Sequence, residues 1–298
     1  MEYQSILKEL IPFHDFLIGI DSDGCVFDTM EIKHKEFFIP NVIKYFDLFA
    51  ISGAVRETWE FVNLYSSTRG VNRFPALIIV FDLLGRRKDV IGKGFQVPDL
   101  PELKKWIKDE TRLSNSVLKS YYSSHRASDI EKVLRWSEAV NEDINKWLRD
   151  IPPFRHAGMF IEKASGLADT IVVSQTPLEA LEREWIEHDL KKFVRAIAGQ
   201  EHGTKSEHIS ITAKGKYPAD HILMIGDAPG DQKAAEDNGT CFFPVIPGRE
   251  DISWERLLHE GLEKFLTGTF TEEYQASLLE EFRRSLPEIP PWRTQAVP

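Results

Sequence analysis

The stretch Phe16-Leu17-Ile18-Gly19-Ile20-Asp21-Ser22-Asp23-Gly24-Cys25-Val26-Phe27-Asp28-Thr29 delivers two carboxylates, one residue apart, from a short apolar run into a glycine turn. Four or five apolar residues bounded by a turn signal read as a buried strand of a parallel sheet. That puts Asp21 at the strand's carboxyl end, where open α/β sheets bind their ligands. Two ionised carboxylates this close repel each other and are costly to desolvate, so the pair implies a bound cation or one raised pKa.

Ile222-Leu223-Met224-Ile225-Gly226-Asp227-Ala228-Pro229-Gly230-Asp231 repeats the pattern of apolar strand, glycine and paired acids. If the two strands are neighbours, Asp21, Asp23, Asp227 and Asp231 gather at one edge, an oxygen set suited to a hard cation such as Mg²⁺. In Val172-Val173-Ser174-Gln175-Thr176-Pro177-Leu178-Glu179, Ser174 ends a third strand. Thr176 reads as a helix N-cap there, with Pro177 at the first helical position and Glu179 closing a capping box. The amides of that helix end, with the Ser174 hydroxyl, are expected to hold phosphate oxygens. Gly199-Gln200-Glu201-His202-Gly203-Thr204-Lys205 then offers a lysine after a strand and a glycine loop, with Lys214 and Lys216 as rivals for the same counter-charge. Each element alone is common on protein surfaces. Their joint order is what points to phosphoryl chemistry.

At 298 residues and 42% hydrophobic content the chain is long enough for two domains. A net charge of −10 disfavours nucleic acid or an anionic membrane surface as the main partner. The two cysteines, Cys25 and Cys241, form no metal-binding spacing and argue against a disulfide framework. Met1-Glu2-Tyr3-Gln4 begins no secretory signal, and the longest apolar stretch, Leu77 to Leu84, is broken by Asp82, so a soluble cytoplasmic protein is expected.

Between the first motif and Ala168 the chain reads as helical. Val55, Trp59 and Val62 recur at helical spacing, Phe74 to Leu84 ends at a helix-stopping Gly85, and Ser128 with Glu131 reads as a capping box. From Ala168 onward strands and helices alternate, at Thr170–Val173, Val194–Ala198, His221–Ile225 and Cys241–Val245, the rhythm of a parallel sheet. Helices from Trp254 to Phe265 and Thr271 to Leu286 precede a proline-rich tail read as a surface arm. The expected fold is α/β, a three-layer, Rossmann-like parallel sheet core over residues 1–30 and 153–298, with a helical cap over 31–152.

With these four motifs in this order, the chain resembles the haloacid dehalogenase superfamily of phosphohydrolases, over Phe16 to Thr29 and Ala168 to about Val245. The long insert resembles that family's helical cap placed after the first motif. The resemblance implies that Asp21 is the nucleophile, forming an aspartyl-phosphate that water hydrolyses, and that Asp23 is the general acid and base. It implies a Mg²⁺ contacting the Asp21 carboxylate, the Asp23 backbone carbonyl and Asp227, with Asp231 supporting the metal or its waters. Ser174 would bind the phosphoryl group, and Lys205 would neutralise the charge of the in-line transition state. The family's dehalogenases lack the second aspartate, so Asp23 favours phosphoryl transfer. The branch that cleaves carbon–phosphorus bonds needs a cap lysine, for which Lys33 and Lys35 are the candidates.

The expected substrate is a small phosphorylated metabolite. A sugar phosphomutase differs only in the acceptor of the phosphoryl group, and a phospho-accepting regulatory domain also uses aspartates at a sheet edge, though it needs no lid. In Ser66-Ser67-Thr68-Arg69-Gly70-Val71-Asn72-Arg73-Phe74, the forks of Arg69 and Arg73 suit an anionic leaving group, and a basic surface loop accounts for them equally well. Oligomeric state is not legible.

Overall fold

The computed structural model describes residues 2–294. Its sheet consists of β1 (Leu17–Ile20), β2 (Asp169–Val173), β3 (Ala196–Ala198), β4 (Ile222–Gly226) and β5 (Cys241–Pro244), all parallel and in the order β3-β2-β1-β4-β5. The short apolar runs became strands because a parallel sheet covered on both faces buries every side chain, so no polar alternation is required. Alternate strand residues feed two separate cores. Ile18, Ile20, Val172, Leu223 and Ile225 face one, with Phe160, Leu181, Trp185 and Trp254. Leu17, Ile171, Val173 and Met224 face the other, with Leu7, Ile209, Ala234 and Phe282. These are the two interfaces of a three-layer α/β fold. Gly19 lets its neighbours pack closely on the central strand, since a Cβ there would stand 3.1 Å from a Val173 methyl and 3.3 Å from the Met224 sulfur, and both side chains would have to give way slightly.

The chain divides into two units. One comprises Met1–Met30 and Arg149–Leu286, the other Glu31–Leu148 and Pro287–Pro298. The return to the sheet unit thus comes at 149, four residues ahead of the boundary read from sequence. The tail, read as part of the core domain, belongs to the helical unit. Its Trp292 ring stands edge-on to Phe61, centroids 5.4 Å apart, and the Arg87 guanidinium lies 4.6 Å from the Trp292 ring centroid. Arg87 is itself buried and fixed by Asp89 and Glu57. A single large aromatic in a proline-rich segment can bury its area without any periodicity that a sequence would display.

The helical unit has its own core, with Trp59, Trp106 and Trp136 buried among helices Ser52–Asn63, Arg73–Leu84, Pro101–Asp109 and Ser128–Trp147. The helix expected to end at Gly85 does so, and Asn72 caps its start by accepting from the Phe74 N–H at 3.1 Å. The Ser128–Glu131 capping box does not form. Ser128 is already the first helical residue, and Ala127, which has no side-chain acceptor, takes the N-cap position. No helix of the described residues is long and apolar enough to cross a membrane.

Candidate active site

Because β1 lies between β2 and β4, with Ile20 opposite both Val172 and Ile225, the residues that follow these strands emerge side by side. The Asp21 N–H donates to the Ile225 carbonyl at 2.9 Å and the Ser174 N–H to Ala198 at 2.9 Å, so pairing continues one residue into each loop. Beyond Asp21 the chain folds into a tight turn. The Ser22 carbonyl accepts from Val26 at 2.9 Å, and Gly24, at φ +78°, donates to Phe27 at 2.8 Å. A side chain at Gly24 would be strained at that φ.

Asp21, Asp227 and Asp231 are all buried, and one oxygen of each lies within 4.8 Å of the others. Lys205 Nζ bridges two of them, 2.8 Å from Asp21 Oδ2 and 2.6 Å from Asp231 Oδ1. Gly226 makes room for this, since a Cβ there would lie 2.3 Å from Asp231 Cγ. The Asp231 carboxylate also accepts from the Ala228 N–H at 3.0 Å, capping helix Pro229–Asn238. Burial raises the pKa of Asp21, and the charges of Asp231 and Asp227 add to it against the pull of Lys205; Asp231 is raised by burial too. Burial opposes the charge on Lys205, but Asp21 and Asp231 outweigh it and hold the lysine firmly as an ammonium. Three buried carboxylates against this one ammonium leave an excess of negative charge. With oxygen-only donors, that fits a hard divalent cation. Cys25 is buried beside them, and burial followed by the charges of Asp227 and Asp21 raises its thiol pKa, which makes it inert. Of the rival lysines, Lys216 is spent on the carbonyls of Leu7 and Lys8.

Asp23 stands outside the acidic cluster, and its carboxylate accepts from two threonines. Thr29 Oγ1 donates to Oδ1 at 2.5 Å and Thr176 Oγ1 to Oδ2 at 2.6 Å. Sequence reasoning missed both contacts. It assigned Thr176 to capping the following helix, but that helix begins at Leu178 with Pro177 as N-cap. The Leu178 N–H is taken by Glu201 Oε2 at 3.0 Å, and the Thr176 N–H by Ser174 Oγ at 3.2 Å. The expected capping box is therefore absent, and two amides expected to cradle phosphate are bonded to the protein itself. Gly199 allows this, because a Cβ there would meet the Thr176 carbonyl at 2.7 Å and the Leu178 nitrogen at 2.9 Å. Ser174 remains at the sheet edge, buried.

The arginines assigned to substrate contact are engaged elsewhere. Arg69 is 2% exposed and donates to the Leu64 carbonyl at 2.8 Å. Arg73 donates to Ser137 Oγ at 2.9 Å and Asn141 Oδ1 at 2.7 Å, and burial lowers its pKa to about 10. Both guanidinium groups thus bond within the helical unit. Lys35 ion-pairs with Glu31 and donates to the Tyr65 hydroxyl at 2.9 Å. Burial opposes its charge, but those partners raise its pKa above that of a free lysine, the reverse of what a Schiff-base lysine needs.

No family model and no curated protein matches the chain. Among solved structures, it is similar to a provisionally named β-phosphoglucomutase from Bacteroides vulgatus at 15% identity and TM-score 0.49, over 90% of this chain and 100% of that one. It is similar to a provisionally named phosphoglycolate phosphatase from Haemophilus somnus at 15% identity and TM-score 0.45, over 78% and 86%. A third is a haloacid dehalogenase-like hydrolase from Streptococcus pneumoniae, at 13% identity and TM-score 0.41, over 86% and 98%. The chemistry rests on the side chains at the carboxyl edge of the sheet.

Proposed function

We propose that this protein is a Mg²⁺-dependent phosphoric monoester hydrolase of the haloacid dehalogenase type, acting on a small phosphorylated metabolite through an aspartyl-phosphate. The observation that carries this reading is the difference in surroundings between the two aspartates of one turn. Asp21 is buried against an ammonium and two further carboxylates, whereas Asp23 stands apart, held by two hydroxyls. In the first step an Asp21 oxygen attacks phosphorus, the bond from phosphorus to the leaving oxygen breaks, and Asp23, which enters this step as the carboxylic acid, gives its proton to that oxygen. In the second step Asp23, now a carboxylate, takes a proton from water as the water oxygen attacks phosphorus. Inorganic phosphate leaves and Asp21 is restored. Lys205 stays cationic throughout and offsets charge on the transferring group, while Ser174 offers its hydroxyl to a phosphoryl oxygen. Asp21, Asp227 and Asp231 would hold the Mg²⁺, with the Asp23 carbonyl, and the ion would neutralise and orient the phosphoryl oxygens.

The test is release of inorganic phosphate from p-nitrophenyl phosphate with Mg²⁺, comparing the native protein with Asp21→Asn. Activity that survives this change removes the nucleophile, and activity indifferent to EDTA removes the metal. A panel of phosphorylated sugars, nucleotides and amino acids then names the substrate class.

A further inference from the structure

Ser22, the residue between the two aspartates, takes no part in the chemistry just described. It is fully buried, and its hydroxyl is used twice, donating to Glu184 Oε2 at 3.1 Å and accepting from the Trp185 indole N–H at 3.0 Å. Both partners lie on helix Leu178–Glu187, whose Leu181 and Trp185 are anchored in the core on that face of the sheet. The Trp185 ring also stands edge-on to Phe27, centroids 6.0 Å apart, and the buried Trp254 indole donates to the Cys25 carbonyl at 2.7 Å. Two rigid indoles thus grip the turn from below. One of them does so through the side chain that separates the nucleophile from the acid. A small apolar residue would fill the same space, so packing alone does not call for a hydroxyl here. A hydroxyl that accepts from one neighbour and donates to another fixes the rotation of the turn about the strand axis. In-line displacement is sensitive to that rotation, because an error near 1 Å at the reacting atoms costs about 100-fold in rate.

We propose that the Ser22–Trp185–Glu184 link is a positioning device that sets the directions in which Asp21 and Asp23 leave the turn; it rests on the phosphohydrolase reading and specifies how that reading is implemented in this chain.

The test measures kcat, KM and Tm for Ser22→Ala and Trp185→Phe with p-nitrophenyl phosphate and Mg²⁺. Trp185→Phe keeps a buried six-membered aromatic ring and loses the indole N–H together with the rest of the pyrrole ring, so with kcat taken per folded molecule it carries the test should Ser22→Ala not fold. Each variant is expected to lose about tenfold in kcat with KM within twofold of the native value. The double variant should be no worse than the poorer single one, because both remove the same bond. Glu184→Gln, whose carbonyl oxygen still accepts from Ser22, should keep most of kcat. Unchanged kcat per folded molecule in Trp185→Phe, with only Tm lowered, overturns the proposal and leaves the link a purely structural one. A native protein without Mg²⁺-dependent, Asp21-dependent hydrolysis fails earlier and takes both readings with it.

Discussion

Lys205 Nζ lies 2.8 Å from Asp21 Oδ2, and the same ammonium reaches Asp231 at 2.6 Å. It is the positive charge the buried acids share. Lys205→Met removes that charge and leaves Asp21 and Asp231 to repel each other out of water. Turnover should fall 100-fold or more, the scale of losing one preorganised electrostatic partner. Urea unfolding should show a stability loss of about 3 kcal/mol without Mg²⁺, as expected for breaking a buried ion pair on one side. Adding Mg²⁺ should recover much of the stability and little of the turnover.

Thr176 and Thr29 each hold one oxygen of Asp23. Thr176→Val keeps the shape and deletes one donor to the carboxylate, an interaction worth roughly 1.5–3 kcal/mol for a charged acceptor. Steady-state kinetics should show kcat lowered about tenfold with KM little changed. A rise in KM at constant kcat would instead place Thr176 in substrate binding.

His208 is fully buried, and burial together with the nearby charges of His202 and Lys205 pushes its pKa down to about 4. The folded state therefore binds fewer protons than the unfolded state between the ordinary histidine value near 6.5 and about 4. Stability contributed by the neutral ring is intact above pH 6.5 and falls away through that window, by up to about 3 kcal/mol. Denaturant midpoints from pH 7 down to pH 4 should show this slope, and His208→Phe should flatten it. An unchanged slope in that variant would assign the effect to another group.

Asp169 opens β2 opposite Leu17, at the far end of the sheet from Asp21. Burial works against its charge, but the N–H groups of His14 at 2.9 Å and Phe13 at 2.8 Å, the Tyr217 hydroxyl at 2.8 Å and Arg195 outweigh it and hold the carboxyl below its ordinary value. Its contribution is present above the ordinary carboxylate pKa and is lost as pH falls through the lower folded value. Asp169→Asn should cost about 3 kcal/mol at pH 7 in urea melts, shrinking in acid. Because the site lies at the other end of the strands, kcat of the folded variant should match the native protein.

The strands and their order of function were legible because each is a short apolar run ending in a reactive residue, and burial on both faces leaves such runs no polar interruption. β1, β2, β4 and β5 came within a residue of their expected starts and ends. β3 departs most, beginning at Ala196 rather than Val194, although the Arg195 N–H still donates to the Thr170 carbonyl at 2.7 Å. Side chains that choose between local partners were not legible. Thr176 has the same covalent surroundings whether it caps a helix or holds Asp23. The partners that Arg69 and Arg73 find in the folded helices, Leu64, Ser137 and Asn141, carry no mark in the sequence. Trp292 gave no sign of where it docks, since one aromatic in a proline-rich tail carries no period.

The sequence by itself determined that Asp21, Ser174 and Asp227 stand at strand ends and that Lys205 follows a strand and a glycine loop, where it opens helix Lys205–Ala213, since hydrophobic runs and turn residues act over neighbouring positions. Only the tertiary structure decided which of these groups touch. The order β3-β2-β1-β4-β5 brings Lys205 between Asp21 and Asp231 across 184 and 26 residues of chain, and it seats Ser22 on Trp185. Charge sharing and hydrogen bonding decay within a few ångströms, so they are set by the packing of distant segments.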